Sequence, residues 1–198
     1  MSEKPYHHGA LEAALMDAAL DFVQTSGIEA LTLRDLARTL GVSPSAVYRH
    51  FPSRDHLVSR VSQAARESLA DALLEARNAV ISNGRAKHRS VERFEAIGRA
   101  YVVFATQHPS LFAAAFALCD VPPAAEDNPS AWSVLVDSVE EMVVSQAIPA
   151  SRRADAPIIA WAGVHGLANI LTASIWPKGY AFDNEIDAVV TGITRAIS

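Results

Sequence analysis

The chain has 198 residues, half of them hydrophobic, a formal net charge of −5 and a single cysteine, Cys119. Those figures exclude a disordered chain and an internal disulfide, leave room for one or two domains with a real core, and do not by their sum advertise a nucleic-acid binder. The opening M-S-E-K-P-Y-H-H lacks the apolar core of a signal peptide, so a reducing cytoplasmic setting is expected.

Helical periodicity organises the rest. Leu11, Leu15, Ala18 and Phe22 share one face of a first helix over residues 10–26, and Gly27 stops it. From Thr32 to Phe51 the chain reads T-L-R-D-L-A-R-T-L-G-V-S-P-S-A-V-Y-R-H-F, two short helices around a tight turn. Leu33, Leu36, Ala37 and Leu40 form the apolar face of the first, with Thr32 as N-cap and Asp35 as a weak capping box. Gly41 supplies left-handed backbone, Ser43 caps the second helix, and Pro44 takes its first position, where no N–H is needed. Val47 and Phe51 are its buried side. Ser45 and Arg49 point the opposite way, with Tyr48 on the flank.

A short helix with a buried inner face and a Ser, Tyr, Arg outer face suits a DNA major groove, although an ordinary surface hairpin carries the same pattern. Charge distribution supports the groove. From Thr32 to Arg60, five arginines against Asp35 and Asp55 leave a local +3, and the remainder of the chain carries −8.

Pro52 ends this helix, and Ser53 caps a fourth running from Arg54 to about Val80. Ser82 to Ser90 is a polar break whose Arg85, Lys87 and Arg89 read as a solvated loop. Val91, Phe94, Ile97, Tyr101 and Phe104 mark helix 5. Pro109 to Leu118 is a short apolar helix, and Cys119 to Ser130 a loop. Helix 7 spans about Ala131 to Ala147, with Trp132, Leu135, Val136, Val139 and Val143 inward. Helix 8 spans about Ala154 to Trp176. Asp183 caps helix 9, whose Ile186, Val189, Val190, Ile193 and Ile197 form one stripe. The expected fold is all-α with about nine helices, no strand and no internal repeat. A three-helix DNA-binding domain occupies 1–54 and a bundle occupies 55–198.

The run S-A-V-Y-R-H-F-P-S-R-D-H-L, Ser45 to Leu57, resembles the signature of the TetR/AcrR (tetracycline-repressor type) transcriptional regulators. W-A-G-V-H-G, with Trp161, His165 and Gly166, resembles the W-x-x-x-H-G pattern of one C-terminal subtype, in which an opening Y-H-H-G like Tyr6 to Gly9 is also common. The resemblance implies a homodimer on a near-palindromic duplex, paired through its last two long helices. It also implies DNA roles. Thr32 and the N–H groups at the start of helix 2 would meet a phosphate. Arg34 would reach the groove. Pro44, Ser45 and Ala46 would lie against base edges, and Arg49 would read a guanine. Tyr48 and His50 would hydrogen-bond phosphates, and Arg54 would grip one where the family often carries a lysine. Without the resemblance, each is also readable as an exposed polar side chain.

Helix 8 carries two stripes. Trp161, His165, Asn169, Thr172 and Trp176 form one; Val164, Leu167, Leu171 and Ile175 form the other. One stripe is expected to line an effector cavity and the other to meet the partner subunit, and the sequence leaves open which does which. Tyr101, Phe104, Phe112, Phe116 and Met142 are further wall candidates; Val189 and Ile193 are further interface candidates. The alternative is a packed core in which a backbone carbonyl satisfies His165. Ile158 to Trp176 holds 19 residues without a charge, but His165, Asn169, Thr172 and Ser174 interrupt it, so burial is expected rather than a membrane span.

No catalytic set, phosphate loop or C-x-x-C is present, and His7-His8 lacks further ligands, so neither enzyme, cofactor nor metal is expected. The resulting expectation is a homodimeric regulator, most simply a repressor released from DNA by a small molecule. A helical dimerisation or scaffolding protein without operator binding is the alternative.

Overall fold

The computed structural model describes residues 8–117, 129–173, 175–177 and 179–198. Among them the order is α1 (His8–Ser26), α2 (Leu33–Leu40), α3 (Pro44–His50), α4 (Arg54–Ala79), α5 (Ala86–Gln107), α6 (Pro109–Ala115), α7 (Ala131–Val144), a 3-10 turn (Ala150–Arg152), α8 (Ala156–Thr172) and α9 (Asp183–Ile197), with no strand. Tyr6, His7, Leu118, Cys119, Asp120 and Ser174, on which several expectations fell, lie outside the described residues. No helix among the described residues is long and apolar enough to cross a membrane.

Backbone contacts divide the chain into two units, Met1–Ala65 with Ser110–Ala125, and Arg66–Pro109 with Glu126–Ser198. The grouping differs from a boundary after residue 54. The first turns of α4 join the first unit, and so does α6, because Ser62 on α4 donates to the carbonyl of Ala115 at 3.2 Å inside the core.

In the first unit α1 packs on α2 and α2 on α3. Leu15, Ala19 and Val23 form the buried stripe of α1, and they meet a core that includes Leu31, Leu36, Val47, Phe51, Leu57 and Val61. Gly41 ends α2 at φ 65°. Its N–H reaches the Arg38 carbonyl and that of Val42 reaches the Ala37 carbonyl, so two otherwise orphaned carbonyls are satisfied and the chain reverses in one residue.

In the second unit α5 is the central helix, packed on α7, α8 and α9. Phe94, Ile97, Tyr101, Val102, Phe104 and Ala105 supply its buried side. Glu141 on α7 accepts from Arg77 at 2.9 Å and from Arg93 at 2.8 Å, which ties three helices together. The two arginine hydrogen bonds and their charges hold its carboxyl below the usual value, although burial, the largest single influence, pushes the other way.

Several expectations fail here, among them the loop expected over Ser82 to Ser90, since α5 already begins at Ala86. On α7 the inward side is Val134, Ser138, Val139, Met142 and Val143, and Trp132 and Val136 are exposed. Helix 8 stops at Thr172, with Ala173 already extended, because the chain must turn toward Pro177. Ile175 therefore leaves the stripe and stands 79% exposed beyond the helix. Val164, Leu167, Leu171 and Ile193 were candidates for a partner subunit, but all are buried within the chain. Val164 sits against α5 near Gly98, and Ile193 of α9 fills the space over Gly163, where a Cβ would lie 2.5 Å from its Cδ1. An unbroken apolar stripe shows that a face is covered; here the chain's own helices cover it.

Candidate nucleic-acid interface

The α2–α3 frame is rigid for local reasons. Thr32 caps α2 by accepting from the Asp35 N–H at 3.2 Å, and Ser43 caps α3 by accepting from the Ala46 N–H at 3.3 Å. Pro44 begins α3, and Val47 and Phe51 lock its inner face, both fully buried. The outer face then presents Ser45, Tyr48 and Arg49, with Arg34 exposed on α2. Tyr48 is 49% exposed. Arg34, Tyr48 and Arg49 have no hydrogen bond or ion pair among the described residues.

Other expected contacts are already occupied. The Thr32 hydroxyl donates to the Asp35 carboxylate at 2.6 Å, and Asp35 is paired with Arg38 at 2.7 Å. The expected reciprocal capping box is thus replaced by a hydroxyl–carboxylate bond, because Asp is too short to return to the cap's own N–H. Ala46 is only 9% exposed, so its methyl belongs to the inner face and does not meet a base edge. His50 is turned inward, its side chain 13% exposed and its Nδ1 3.8 Å from Glu12, which also accepts from Arg60 at 3.1 Å. Glu12 went unnoticed in the sequence; nothing marks it beyond an acidic residue off the apolar stripe of α1. Arg54 is 42% exposed, yet its guanidinium is turned to the backbone of the preceding turn. Its Nε donates to the Leu31 carbonyl, and its Nη2 to those of Ile28 and Glu29, each at 3.1 Å.

The second unit brings together only some of the effector candidates. Tyr101 on α5 and His165 on α8 join through the phenol oxygen and Nδ1 at 2.8 Å. Both rings stand edge-on to neighbours, His165 to Tyr101 and Trp161 at 6.2 Å each, and Trp132 lies 5.1 Å from Trp161. Burial pushes the Tyr101 phenol up to about 12, against a smaller opposing effect of a hydrogen bond from Trp161. Burial also holds the His165 imidazole below its ordinary value of 6.5, so at neutral pH it is uncharged. Either the phenol or the imidazole can be the donor of the Tyr101–His165 bond, according to the ring's tautomer. A side chain of α5, the Tyr101 phenol, is thus one partner of His165.

Phe104 and Met142 are buried in the same unit. Phe112 and Phe116 belong to the first unit, where their rings meet edge-on at 5.2 Å. Asn169 is exposed and donates to the His165 carbonyl at 2.8 Å, one turn back on its own helix, so it is a surface residue and not a cavity wall. Trp132, by contrast, joins the aromatic cluster although periodicity had assigned it to the core. Among the described residues no group of His, Cys, Asp and Glu is arranged to hold a metal.

Residues 15–61 match the tetR family of bacterial regulatory proteins, and residues 94–191 match the tetracyclin repressor-like C-terminal domain. The nucleoid occlusion factors SlmA of Idiomarina loihiensis and Vibrio atlanticus are 30% and 29% identical over 97 and 100 residues. Those matches cover 49% and 50% of this chain and 46% and 47% of the relatives, so the chain spans about half their length. A solved protein with unknown function from Rhodococcus sp. RHA1 has a TM-score of 0.79 at 28% identity, covering 98% of this chain and 99% of that one. The TetR family transcriptional regulator PfmR from Thermus thermophilus has a TM-score of 0.59 at 19% identity, over 92% and 97%. A TetR variant from Acinetobacter baumannii AYE in complex with minocycline has 0.53 at 19%, over 93% and 96%. The last two are likenesses of fold alone.

Proposed function

Because the chain belongs to the tetR family of bacterial regulatory proteins, we propose that it is a cytoplasmic, homodimeric repressor that reads a near-palindromic duplex and leaves it when a small molecule binds. One observation carries the DNA reading. On a frame whose caps and inner face are satisfied, Arg34, Tyr48 and Arg49 stand outward without a hydrogen bond or ion pair among the described residues. Arginine in the groove offers a two-pronged donor to guanine, and a phenol offers a hydrogen bond to phosphate.

The test uses the tightest duplex that the protein selects from a random-sequence pool. Arg49→Ala is expected to relax preference at one base position at a cost of about 1–3 kcal/mol, and Tyr48→Phe to weaken all sequences alike. If both variants bind and discriminate as the parent does, the reading of α3 fails.

Dimerisation is supported by the outward side of α8, where Ile158, on one stripe with Ala162, and Ile170, about 120° further round the helix, are each 55% exposed. Light scattering that finds a monomer at micromolar concentration overturns it. The effector reading is supported by the Trp132, Trp161, Tyr101 and His165 cluster, which sets a few polar atoms among aromatic rings, the kind of lining small-molecule sites use. An effector releases DNA only to the extent that it binds the DNA-free form better, and DNA then weakens the effector by the same factor. Small aromatic molecules that raise the melting temperature without weakening DNA binding count against it.

A further inference from the structure

We propose that Arg54 is a positioning residue, which fixes the start of α2 by clasping the turn in front of it and does not grip a phosphate. The proposal rests on the DNA-binding reading above.

Its basis is the hydrogen-bonding need of that turn. Gly27, at φ 78°, closes α1 by donating to the Val23 carbonyl at 2.9 Å. Residues 28–31 then belong to no helix. Among the described residues one backbone bond forms within them, from the Leu31 N–H to the Ile28 carbonyl at 3.2 Å, yet Ile28 and Leu31 are buried. Carbonyls in such a place must find donors.

Arg54 supplies them. One edge of its guanidinium spans the carbonyls of Leu31 and Ile28, and Nη2 also reaches that of Glu29. Three carbonyls, 23 to 26 residues away in sequence, thus converge on one planar fork at the first residue of α4. The residue that follows the clasped turn is Thr32, the N-cap of α2, and two positions later comes Arg34. Where the turn is held, α2 begins; where α2 begins decides where Arg34 and the packed α3 point.

Geometry assigns this role to the guanidinium and not to charge alone. The Glu29 carboxylate lies 3.7 Å from Nη2, but its side chain is almost fully exposed, so the ion pair adds little. Lysine keeps the charge but is a point donor and lacks the fixed fork.

The experiment compares Arg54→Lys, Arg54→Met and Glu29→Gln in the full chain. Backbone hydrogen–deuterium exchange over residues 28–36 is measured without DNA, and affinity for the selected duplex is measured across a salt series. Both Arg54 variants are expected to exchange faster over 28–36 and to lose affinity about tenfold, with the slope of log affinity against log salt unchanged. Glu29→Gln is expected to match the parent in both. A phosphate contact behaves otherwise: Arg54→Lys retains affinity, and Arg54→Met lowers the salt slope by about 0.9. That outcome overturns the proposal, as does unchanged exchange in Arg54→Lys. A parent that selects no duplex overturns the regulator reading, and the exchange arm still decides for or against the clasp.

Discussion

The outer face of α3 and the inner stripe of α8 both carry aromatic and polar side chains at helical spacing, yet the molecule treats them oppositely. On α3, Tyr48 and Arg49 have no hydrogen bond or ion pair among the described residues. On α8, Trp161 and His165 are engaged with each other and with Tyr101. The difference lies in what stands behind each helix. α3 is one short helix whose inner face is filled by Val47 and Phe51, so Tyr48 and Arg49 on its outer face are left exposed. α8 packs on α5, α7 and α9, so the polar atoms of its stripe are drawn into bonds within the unit. Unpartnered side chains on a satisfied frame await something external; partnered ones first do structural work, and a ligand must compete for them.

The hardest way to break this contrast is to remove the frame. Phe51→Ala is expected to cost about 3–5 kcal/mol, because a fully buried ring leaves a cavity. Denaturant unfolding followed at Tyr48 reads it, whereas Arg49→Ala should leave the same transition in place.

A smaller effect tests the α8 side. Tyr101→Phe removes the hydroxyl bonded to His165 and is expected to cost about 1–2 kcal/mol in thermal unfolding. Protons sharpen the same point. The folded state holds His165 below 6.5, so between that depressed value and 6.5 the unfolded chain binds more protons. Its contribution to stability is complete above pH 6.5 and is lost as pH falls through the depressed value. His165→Gln is expected to flatten that part of the stability–pH curve. If neither variant changes unfolding, the pair is incidental and α8 resembles α3 after all.

The smallest effect lies outside both faces. Gln146 ends α7 at φ 60°, the position Gly41 holds after α2, with Ala147 donating to the Met142 carbonyl at 2.8 Å and Gln146 to that of Val143 at 3.0 Å. Gln146→Gly is expected to stabilise by about 0.5–1 kcal/mol in thermal unfolding and to leave DNA binding alone.

Helices and caps were legible because they depend on neighbours in sequence. Thr32, Gly41, Ser43 and Pro44 do locally what their side chains predict. Legibility fails where the partner is distant. Arg34 and Arg49 stand exposed, but Arg54, equally basic and better matched to the family's pattern, turns to carbonyls more than 20 residues away. Val164, Leu167 and Leu171 were recognisable as covered, though not by what, since periodicity records that a face is apolar and is silent about its neighbour. Gln146 gives no sign in sequence, because most left-handed helix ends use glycine. Ala46 sits beside Val47, and only the crossing of α2 over α3 decides that its methyl is interior.

The seam between α8 and α9 at Gly163 has an evolutionary corollary. The space a side chain at 163 would need is filled by the end of Ile193, from a helix about thirty residues further on. The two positions therefore share one fixed volume. Among descendants of this sequence, a residue larger than glycine at 163 is tolerated when 193 shortens, toward valine or alanine, and an isoleucine at 193 keeps 163 bare. They should drift as a pair, while Gly166, with nothing within 4 Å of its missing Cβ, drifts without reference to either.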